Sequence, residues 1–122
     1  MAGNVLNGSL SVGGLRIAYR QAGSPAGPKL VLLHGFPASS HLYRNLIPAL
    51  ADRFHAISPD YPGFGNSDLP DPARFPYAFD RLSENTGSFL KAKSFDRYGL
   101  FVQDYGGPVG FRIVAREPQA LE

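Results

Sequence analysis

Residues 98–107 read Tyr-Gly-Leu-Phe-Val-Gln-Asp-Tyr-Gly-Gly, and this stretch decides the fold. It begins as a short apolar run, typical of a buried strand in a parallel sheet. It then passes almost directly into residues 106–116, whose apolar side chains recur at helical spacing. A strand-to-helix turn this tight forces its central residue, Asp104, into a strained backbone conformation. Such a turn requires small neighbours, which Gly106 and Gly107 supply on the helix side.

The chemistry of this turn depends on Asp104. The turn lifts its side chain clear of the sheet, and the N-terminus of the following helix stabilises a negative charge there. A carboxylate in that position can attack carbon and form an ester intermediate. Aspartate is also a preferred helix cap, so a purely structural capping role is equally open from these residues alone.

A second turn, residues 34–37 (His-Gly-Phe-Pro), follows another short apolar run. Gly35 lets the backbone turn sharply after the strand, and Pro37 fixes the chain and allows a cis peptide bond after Phe36. The backbone N–H of Phe36 is then expected to point at the space above the elbow. There it would form a two-donor oxyanion hole with the N–H of Tyr105. An ordinary strand-to-loop turn with a packed phenylalanine is the alternative.

A third turn is formed by residues 60–67 (Asp-Tyr-Pro-Gly-Phe-Gly-Asn-Ser). Its glycines and proline predict a tight turn at the end of another strand. We interpret this segment as scaffold for the site. Asp60 is expected to bind loop amides rather than to act as a base.

The remaining segments alternate between strand and helix patterns. Strands are predicted within residues 10–22, after a tight turn at Gly13 and Gly14, and at 29–33, 54–58 and 98–102. Helices are predicted at residues 39–50, capped by Ser39 or Ser40, and at 79–93 and 106–116. This alternation predicts an α/β fold with a mostly parallel sheet and helices on both faces. Ligands bind such sheets at the carboxyl ends of the strands, where all three turns lie.

The composition excludes several classes of protein. Apolar residues make up 43% and charged residues 18% of the chain, which is typical of a globular domain. The net charge is only +2 and the basic residues are scattered, so no nucleic-acid partner is expected. Cysteine is absent, and no phosphate-binding loop or metal-ligand cluster is visible, so we expect no cofactor and no metal.

The N-terminal residues lack the pattern of a signal peptide. The apolar runs are also too short to span a bilayer. We therefore expect a soluble, cytoplasmic protein with no membrane partner.

In this order and spacing, the three turns resemble the motifs of the α/β-hydrolase superfamily, in particular its branch of epoxide hydrolases and haloalkane dehalogenases. Residues 34–37 resemble the oxyanion loop of epoxide hydrolases, and residues 60–67 resemble the Asp-x-x-Gly-x-Gly-x-Ser turn of the superfamily. Residues 102–107 resemble an elbow in which Asp replaces the more familiar Ser. The similarity extends from about Leu15 to Arg116.

The resemblance implies a hydrolase that forms an alkyl-enzyme ester with a small apolar substrate, an epoxide or a haloalkane. Asp104 would be the nucleophile, and the backbone amides of Phe36 and Tyr105 would form the oxyanion hole. Five further residues would support these groups: His34, Gly35, Pro37, Gln103 and Gly106.

Two positions depart from the dehalogenase pattern. In that branch a Trp usually follows the nucleophile and helps to hold the leaving halide, commonly with an Asn in the oxyanion loop. Here these positions are Tyr105 and Phe36, which weakens halide binding and favours epoxide opening. Epoxide hydrolases of the family also use two tyrosines from a cap domain, which would be inserted after the last residue of this chain.

The sequence contains no histidine that matches the family's general base. The superfamily order is nucleophile, acid, histidine, but all three histidines, His34, His41 and His55, precede the elbow. We expect His34 to orient the backbone of the oxyanion loop. We expect His41 to lie on the surface at a helix start and His55 to lie at a strand edge. Only two acidic residues, both glutamates, follow the elbow.

Residues 1–122 are therefore expected to be a single partial core domain. It would contain about the first five of the superfamily's eight strands, without the cap domain and the C-terminal part. Taken alone, the chain is expected to be inactive, and the open apolar edge of its last strand favours self-association. Two alternatives are kept: an ester or lactone hydrolase of the same fold, although no Ser occupies the elbow, and a non-catalytic fragment or interaction module.

Overall fold

The structure, a computed structural model, describes residues 4–122. Within this range the chain forms five strands, three α-helices and two 3₁₀ turns. In chain order the strands and α-helices are β1 (Val5–Val12), β2 (Leu15–Ala22), β3 (Lys29–Leu33), α1 (Leu46–Leu50), β4 (His55–Pro59), α2 (Phe79–Ala92), β5 (Gly99–Val102) and α3 (Gly106–Arg116). None of the helices in this range has both the length and the apolar character needed to cross a membrane.

The five strands form one mixed sheet in the order β1-β2-β4-β3-β5. β3 lies between β4 and β5 and runs parallel to both, so Val31 is opposite Ile57 on one side and Leu100 on the other. β1 and β2 form an antiparallel hairpin, and β2 also runs antiparallel to β4. The predicted α/β fold is confirmed, and its parallel part carries the three turns.

β1 is a strand that the sequence pattern did not resolve. Its burial follows no clean alternation, and its middle contains Asn7 and Gly8, residue types that are depleted in strands. It forms because its whole length pairs with β2 across the turn at Gly13 and Gly14, whose φ angles are +57° and +81°. Positive φ at both positions gives the twist that a two-residue hairpin needs, so the predicted tight turn is confirmed.

Helices cover both faces of the sheet, as predicted. Successive residues of β3 point to opposite faces: Val31 and Leu33 pack with α2 and α3, whereas Leu32 packs on the side of α1, and all three are fully buried. The larger core includes the predicted helix anchors Leu82, Phe89, Leu90, Val109 and Ile113. Val114, also predicted to face inward, is only half-buried.

The predicted helix over residues 39–50 is interrupted in the structure. Ser39 caps a 3₁₀ turn by accepting a hydrogen bond from the His41 N–H at 3.2 Å, and α1 begins only after a short gap. The cause is Pro48, because a proline lacks the N–H that a continuous helix would use and fits only the first turn of a new one. As a result Leu42 is exposed, although the helical pattern predicted that it would be buried.

β5 is an edge strand of the described sheet, with β3 as its neighbour. The end of the chain covers part of its open side. The Tyr98 N–H donates to the Ala120 carbonyl and the Glu122 N–H donates to the Tyr98 carbonyl, both at 2.9 Å. Beyond this short parallel bridge the edge is open, and Phe101 on it is 47% exposed. The apolar edge that the sequence predicts is therefore present along most of β5.

Candidate active site

The turns at the carboxyl ends of β3, β4 and β5 lie at one edge of the sheet, because parallel strands end on the same side. β3 leads into the predicted oxyanion loop, β4 into residues 60–67 and β5 into the elbow. The backbone N–H of Phe36 donates to Oδ2 of Asp104 at 3.0 Å, across a sequence separation of 68 residues. The predicted oxyanion loop and the elbow therefore contact each other at this edge.

The elbow has the geometry that the sequence predicts. Asp104 has a φ of +54°, in the left-handed region that non-glycine residues rarely adopt. The Gly106 N–H donates to the Gln103 carbonyl at 2.8 Å, and the Gly107 N–H donates to the Asp104 carbonyl at 3.0 Å. The Gln103 N–H donates to the Leu33 carbonyl at 3.2 Å, which ties the turn to β3.

Two glycines allow the elbow to pack this closely. A Cβ on Gly106 would lie 2.4 Å from a backbone carbonyl oxygen of β3, and a Cβ on Gly35 would lie 2.5 Å from the Cβ of Asp104. Gly107 is different, because a Cβ there would meet nothing closer than 4.0 Å. The expectation that the elbow requires small residues is therefore right for Gly106 and wrong for Gly107.

The helix-cap interpretation of Asp104 is wrong. The N-cap position of α3 is Tyr105, and within residues 4–122 no side chain caps the helix there. The carboxylate of Asp104 instead accepts the Phe36 N–H and is exposed to solvent. It therefore faces the edge of the sheet where a ligand would bind. It also lies next to the N-terminus of α3, whose dipole stabilises a negative charge.

One of the two amides predicted for the oxyanion hole, that of Phe36, contacts the Asp104 carboxylate in the structure. The Phe36 N–H contacts Oδ2 directly, and Pro37 follows Phe36 through a cis peptide bond. The Tyr105 N–H, next along the chain from Asp104, donates to no acceptor in the described part of the chain. Donors in such positions can stabilise a negative oxygen on the carboxyl carbon.

His34 lies beneath the oxyanion loop and is fully buried. Its Nδ1 lies 2.9 Å from the Gly35 carbonyl and its Nε2 lies 3.4 Å from the Tyr61 N–H, which fits a neutral ring protonated on Nδ1. Burial lowers the pKa of His34, although the bond to Gly35 and the Asp60 carboxylate act in the opposite direction. The Tyr61 hydroxyl donates to the His34 carbonyl at 2.7 Å. His34 and Tyr61 therefore hold the loop, as expected for His34.

The stability of the protein is expected to fall as the pH drops below about 6.5, the ordinary pKa of histidine. Because burial lowers the pKa of His34 in the folded state, the unfolded chain binds the proton first and unfolding is favoured. His55 acts in the same direction, since burial and the nearby Lys29 and Lys93 lower its pKa. Each histidine contributes at most about 1.4 kcal/mol per pH unit to the free energy of unfolding.

Urea titrations at several pH values between about 5.5 and 7.5 measure this dependence. The wild-type protein should lose stability toward the acid end, and His34→Gln should give a shallower slope. An unchanged slope in this variant would contradict a lowered pKa of His34.

Asp60 is a structural residue of the neighbouring turn. Its Oδ1 accepts the Ser40 N–H at 2.7 Å and its Oδ2 accepts the Asn66 N–H at 3.0 Å. The hydroxyl of Ser67 donates to the Asp60 carbonyl at 2.7 Å. A Cβ on Gly65 would lie 2.3 Å from the Asp60 carboxylate, so the glycine of the motif is required there. These contacts agree with the predicted scaffold role. Both carboxylate oxygens of Asp60 accept backbone amides, as expected for a residue that does not act as a base.

Aromatic side chains surround the exposed side of the elbow. Phe36 stacks on Tyr105 with ring centroids 5.2 Å apart and an interplanar angle of 26°. Phe64 stands at a steep angle to both rings, 6.2 Å from Phe36 and 6.4 Å from Tyr105. We call Phe36, Phe64 and Tyr105 the aromatic shelf. Phe79, the first residue of α2, packs edge-on against Tyr105 at 4.9 Å.

Sequence reasoning missed Phe64 and Phe79 as residues of this site. Phe64 lies inside the 60–67 motif, so its position at a strand end was a usable signal. Phe79 follows a long stretch without periodicity, and no local pattern connects it with the elbow. Its contact with Tyr105 exists only because α2 and α3 pack on the same face of the sheet.

The two other histidines lie in different surroundings. His41 is exposed at the start of the 3₁₀ turn, with its Nδ1 at 3.1 Å from an Arg20 nitrogen, as expected for a surface residue. His55 is buried at the amino end of β4, with its Nε2 at 3.2 Å from a Gln21 nitrogen. The strand-edge expectation for His55 is wrong, because β4 is an inner strand between β2 and β3. Among the described residues no three His, Cys, Asp or Glu side chains could hold a metal ion together.

The chain belongs to the alpha/beta hydrolase fold family. Residues 28–121, which include β3, β4, β5 and all three turns, match the sequence model of this family. The resemblance inferred from the motifs is thereby confirmed.

Within the family, relatives include named haloalkane dehalogenases. The chain is 44% identical over 108 residues to an uncharacterized hydrolase of Saccharomyces cerevisiae, covering 88% of this chain and 37% of that protein. It is 42% identical over 98 residues to haloalkane dehalogenase 2 of Mycobacterium tuberculosis, covering 80% of this chain and 33% of that protein. A crystal structure of a haloalkane dehalogenase loop variant from Bradyrhizobium elkanii superposes with a TM-score of 0.91 at 31% identity, covering 97% of this chain and 38% of that one.

These relatives are consistent with the haloalkane dehalogenase-like branch that the motifs indicate. The chain spans only about a third of the length of the curated relatives that it matches. Residues 28–121, which match the family, contain the elbow and the loop at residues 34–37.

Proposed function

We propose that the protein is a hydrolase in which Asp104 attacks carbon and forms an alkyl-enzyme ester, with an epoxide or a haloalkane as substrate. The observation that carries this proposal is the placement of Asp104. It has a φ of +54° at the end of β5, with an exposed carboxylate that accepts the Phe36 N–H at 3.0 Å. The names of the dehalogenase relatives support a reaction at a carbon that bears a leaving group.

The two carboxylate oxygens of Asp104 have different roles in this mechanism. Oδ2 is held by the Phe36 amide, so Oδ1 is the oxygen that attacks the substrate carbon. A new C–O bond forms, and the electron pair of the broken bond moves to the epoxide oxygen or to the halide. Oδ2 becomes the carbonyl oxygen of the ester. Attack of water on that ester carbon would place negative charge on Oδ2, between the amides of Phe36 and Tyr105.

Hydrolysis of the ester needs a general base that activates water. His34 is buried with both ring nitrogens engaged, and His41 and His55 contact Arg20 and Gln21. We therefore place the base, the acid of the triad and the substrate-covering cap outside these residues, in the two thirds of the length that the relatives have in addition. Residues 1–122 alone would therefore not turn over substrate.

The side chains around the elbow favour an epoxide over a haloalkane. A departing halide is held by N–H or O–H donors, and Phe36 presents only a phenyl ring at this position. Tyr105 has one hydroxyl, but its ring is stacked on Phe36 and packed against Phe79. We expect the natural gene product to form diol from a terminal epoxide at least about tenfold faster than it releases bromide from the matching bromoalkane. Faster bromide release, read with a halide electrode, would reverse this preference.

A serine hydrolase is poorly supported, because the serines near the site have structural partners. Ser39 accepts the His41 N–H to cap the 3₁₀ turn. Ser67 accepts the Ala18 N–H at 2.8 Å and donates to the Asp60 carbonyl. No serine lies in the elbow itself.

The experiment that tests the proposal is the capture of the ester. The natural gene product is mixed with an epoxide, quenched in acid within one turnover and digested with trypsin. Tryptic peptide 98–112 contains a single carboxylic side chain, that of Asp104, so an added mass equal to the epoxide on this peptide assigns the nucleophile. Asp104→Asn should lose the adduct, and Asp96→Asn, an exposed aspartate in another peptide, should keep it. Absence of any adduct would favour the non-catalytic interaction module.

A further inference from the structure

The aromatic shelf places three rings beside the reactive carboxylate. Phe36 is 58% exposed although it is fully apolar, and Phe64 and Tyr105 are half-buried. We propose that the shelf binds an aryl group of the substrate, so that the preferred substrates are aryl-substituted epoxides rather than alkyl ones. This inference rests on the proposed function, because it assigns the substrate class of the same site.

The arrangement of the rings favours a further flat ring. Phe36 and Tyr105 are close to parallel, at 26°, whereas Phe64 makes angles of 84° and 70° with them. Aromatic pairs prefer offset-stacked and edge-to-face contacts. A bound aryl ring can form a stacked contact with one ring of the shelf and an edge contact with another. A saturated group of the same size gains only the burial of apolar surface.

The rings of the shelf are held in place before any ligand binds. Tyr105 is packed edge-on by Phe79, and Phe64 is packed edge-on by buried Tyr61, at 5.6 Å and 87°. The backbone of Phe36 is fixed by its hydrogen bond to Asp104. Because the rings of Tyr105 and Phe64 are packed on other aromatic side chains, they need little reorganisation on binding, which lowers its cost in conformational entropy.

The position of the shelf sets where the aryl group lies on the substrate. The Phe36 N–H touches Oδ2 of Asp104, and Tyr105 is the next residue along the chain. On this proposal, a ring attached directly to the oxirane would contact the shelf while the oxirane carbon lies at Oδ1. A ring carried on a long alkyl spacer would extend past it.

The first measurement is the binding of two diols to the natural gene product by calorimetry: 1-phenylethane-1,2-diol and 1-cyclohexylethane-1,2-diol. These have six-membered rings and no reactive group, so the result does not depend on Asp104 as a nucleophile. The cyclohexyl compound is the more apolar of the two. A surface that binds ligands only through the hydrophobic effect would therefore bind it at least as tightly as the phenyl compound. We expect the phenyl diol to bind about threefold to tenfold more tightly, because aromatic pairs add a contribution beyond burial. Equal binding, or tighter binding of the cyclohexyl diol, overturns the proposal.

The second measurement uses variants and the ratio of kcat/KM for phenyloxirane and cyclohexyloxirane. Phe36→Leu and Phe64→Leu keep the backbone and an apolar side chain, and each should lower the ratio about threefold to tenfold relative to wild type. Phe111→Leu is the matched control, because Phe111 is 66% exposed on α3 outside the shelf, and it should leave the ratio unchanged. The intrinsic reactivities of the two epoxides cancel in this comparison. An unchanged ratio in both shelf variants overturns the proposal and would mean that another segment of the protein covers these rings.

The two hypotheses fail in different ways. If the diols discriminate as expected but no adduct forms on Asp104, the shelf stands as an aryl-binding site and the nucleophile assignment fails. If the adduct forms on Asp104 but neither diol binding nor the variant ratios show a phenyl preference, the proposed function stands and the aryl specificity is wrong.

Discussion

Replacing Asp104 by asparagine is expected to lower kcat of the natural gene product by about 10⁴-fold or more, since loss of a nucleophile leaves only the residual effect of binding and polar groups. A neutral amide is a poor nucleophile toward carbon. The fold should be retained, because asparagine tolerates the left-handed backbone conformation that Asp104 adopts, with φ at +54°. Its side-chain oxygen can still accept the Phe36 N–H.

The measurement is steady-state diol formation, with the urea midpoint of each variant as the test of folding. Asp96→Asn provides the control, because Asp96 is an exposed aspartate that lies outside the site. Asp104→Glu, which keeps a carboxylate but moves it along a longer side chain, should also lose most activity, since small displacements from productive geometry are costly. Undiminished turnover by a folded Asp104→Asn protein would remove Asp104 from the chemistry.

The site could be predicted where its geometry depends on local backbone chemistry. The strained conformation of Asp104 follows from a strand that passes into a helix within a few residues, and the structure has that conformation. The meeting of Phe36 and Asp104 follows from two parallel strands that end at one edge of a sheet. Gly106 could be predicted as a small residue that the tight turn requires, whereas Gly35 was predicted from the turn of the backbone and is needed because a Cβ there would meet that of Asp104.

Other features depend on contacts between segments that are distant in the sequence. Asp104 was equally acceptable as a helix cap, and only the nearby Phe36 amide shows where its carboxylate points. β1 is not apparent from its own residues, because its pairing with β2 determines its conformation. Phe79 contacts Tyr105 only through the packing of α2 beside α3. The secondary-structure preferences of individual residues could not reveal such contacts, because tertiary packing overrides these preferences.

The helix over residues 39–50 was a different kind of error. The apolar spacing was correct for Ile47, which is fully buried, but wrong for Leu42, because the helix is interrupted between Tyr43 and Leu46. Pro48 lacks an N–H and fits only the first turn of a helix, so α1 begins just before it, and the register of the preceding 3₁₀ turn carries no information about the register of α1. The exposed Leu42 and the two separate turns follow from that one residue.

Two adjacent glycines of the elbow are expected to respond to the same substitution in opposite directions. Gly106→Ala should lower the free energy of unfolding by about 2–4 kcal/mol, because its Cβ would lie 2.4 Å from the carbonyl oxygen of Leu33 and the backbone of β3 cannot easily yield. Gly107→Ala should raise it by about 0.5 kcal/mol, because the position is helical and its Cβ would have free space.

Urea denaturation of both variants measures the difference, and turnover of each gives a second readout. Gly106→Ala should also lose activity, because relief of the clash moves the elbow away from β3 and shifts Asp104 relative to the Phe36 amide. Gly107→Ala should keep wild-type activity, since nothing at the site has to move. If both variants were destabilised equally, the requirement for glycine would come from the helical backbone itself rather than from the contact of Gly106 with β3. If neither variant were destabilised, the close packing of Gly106 against Leu33 would not determine the position of Asp104.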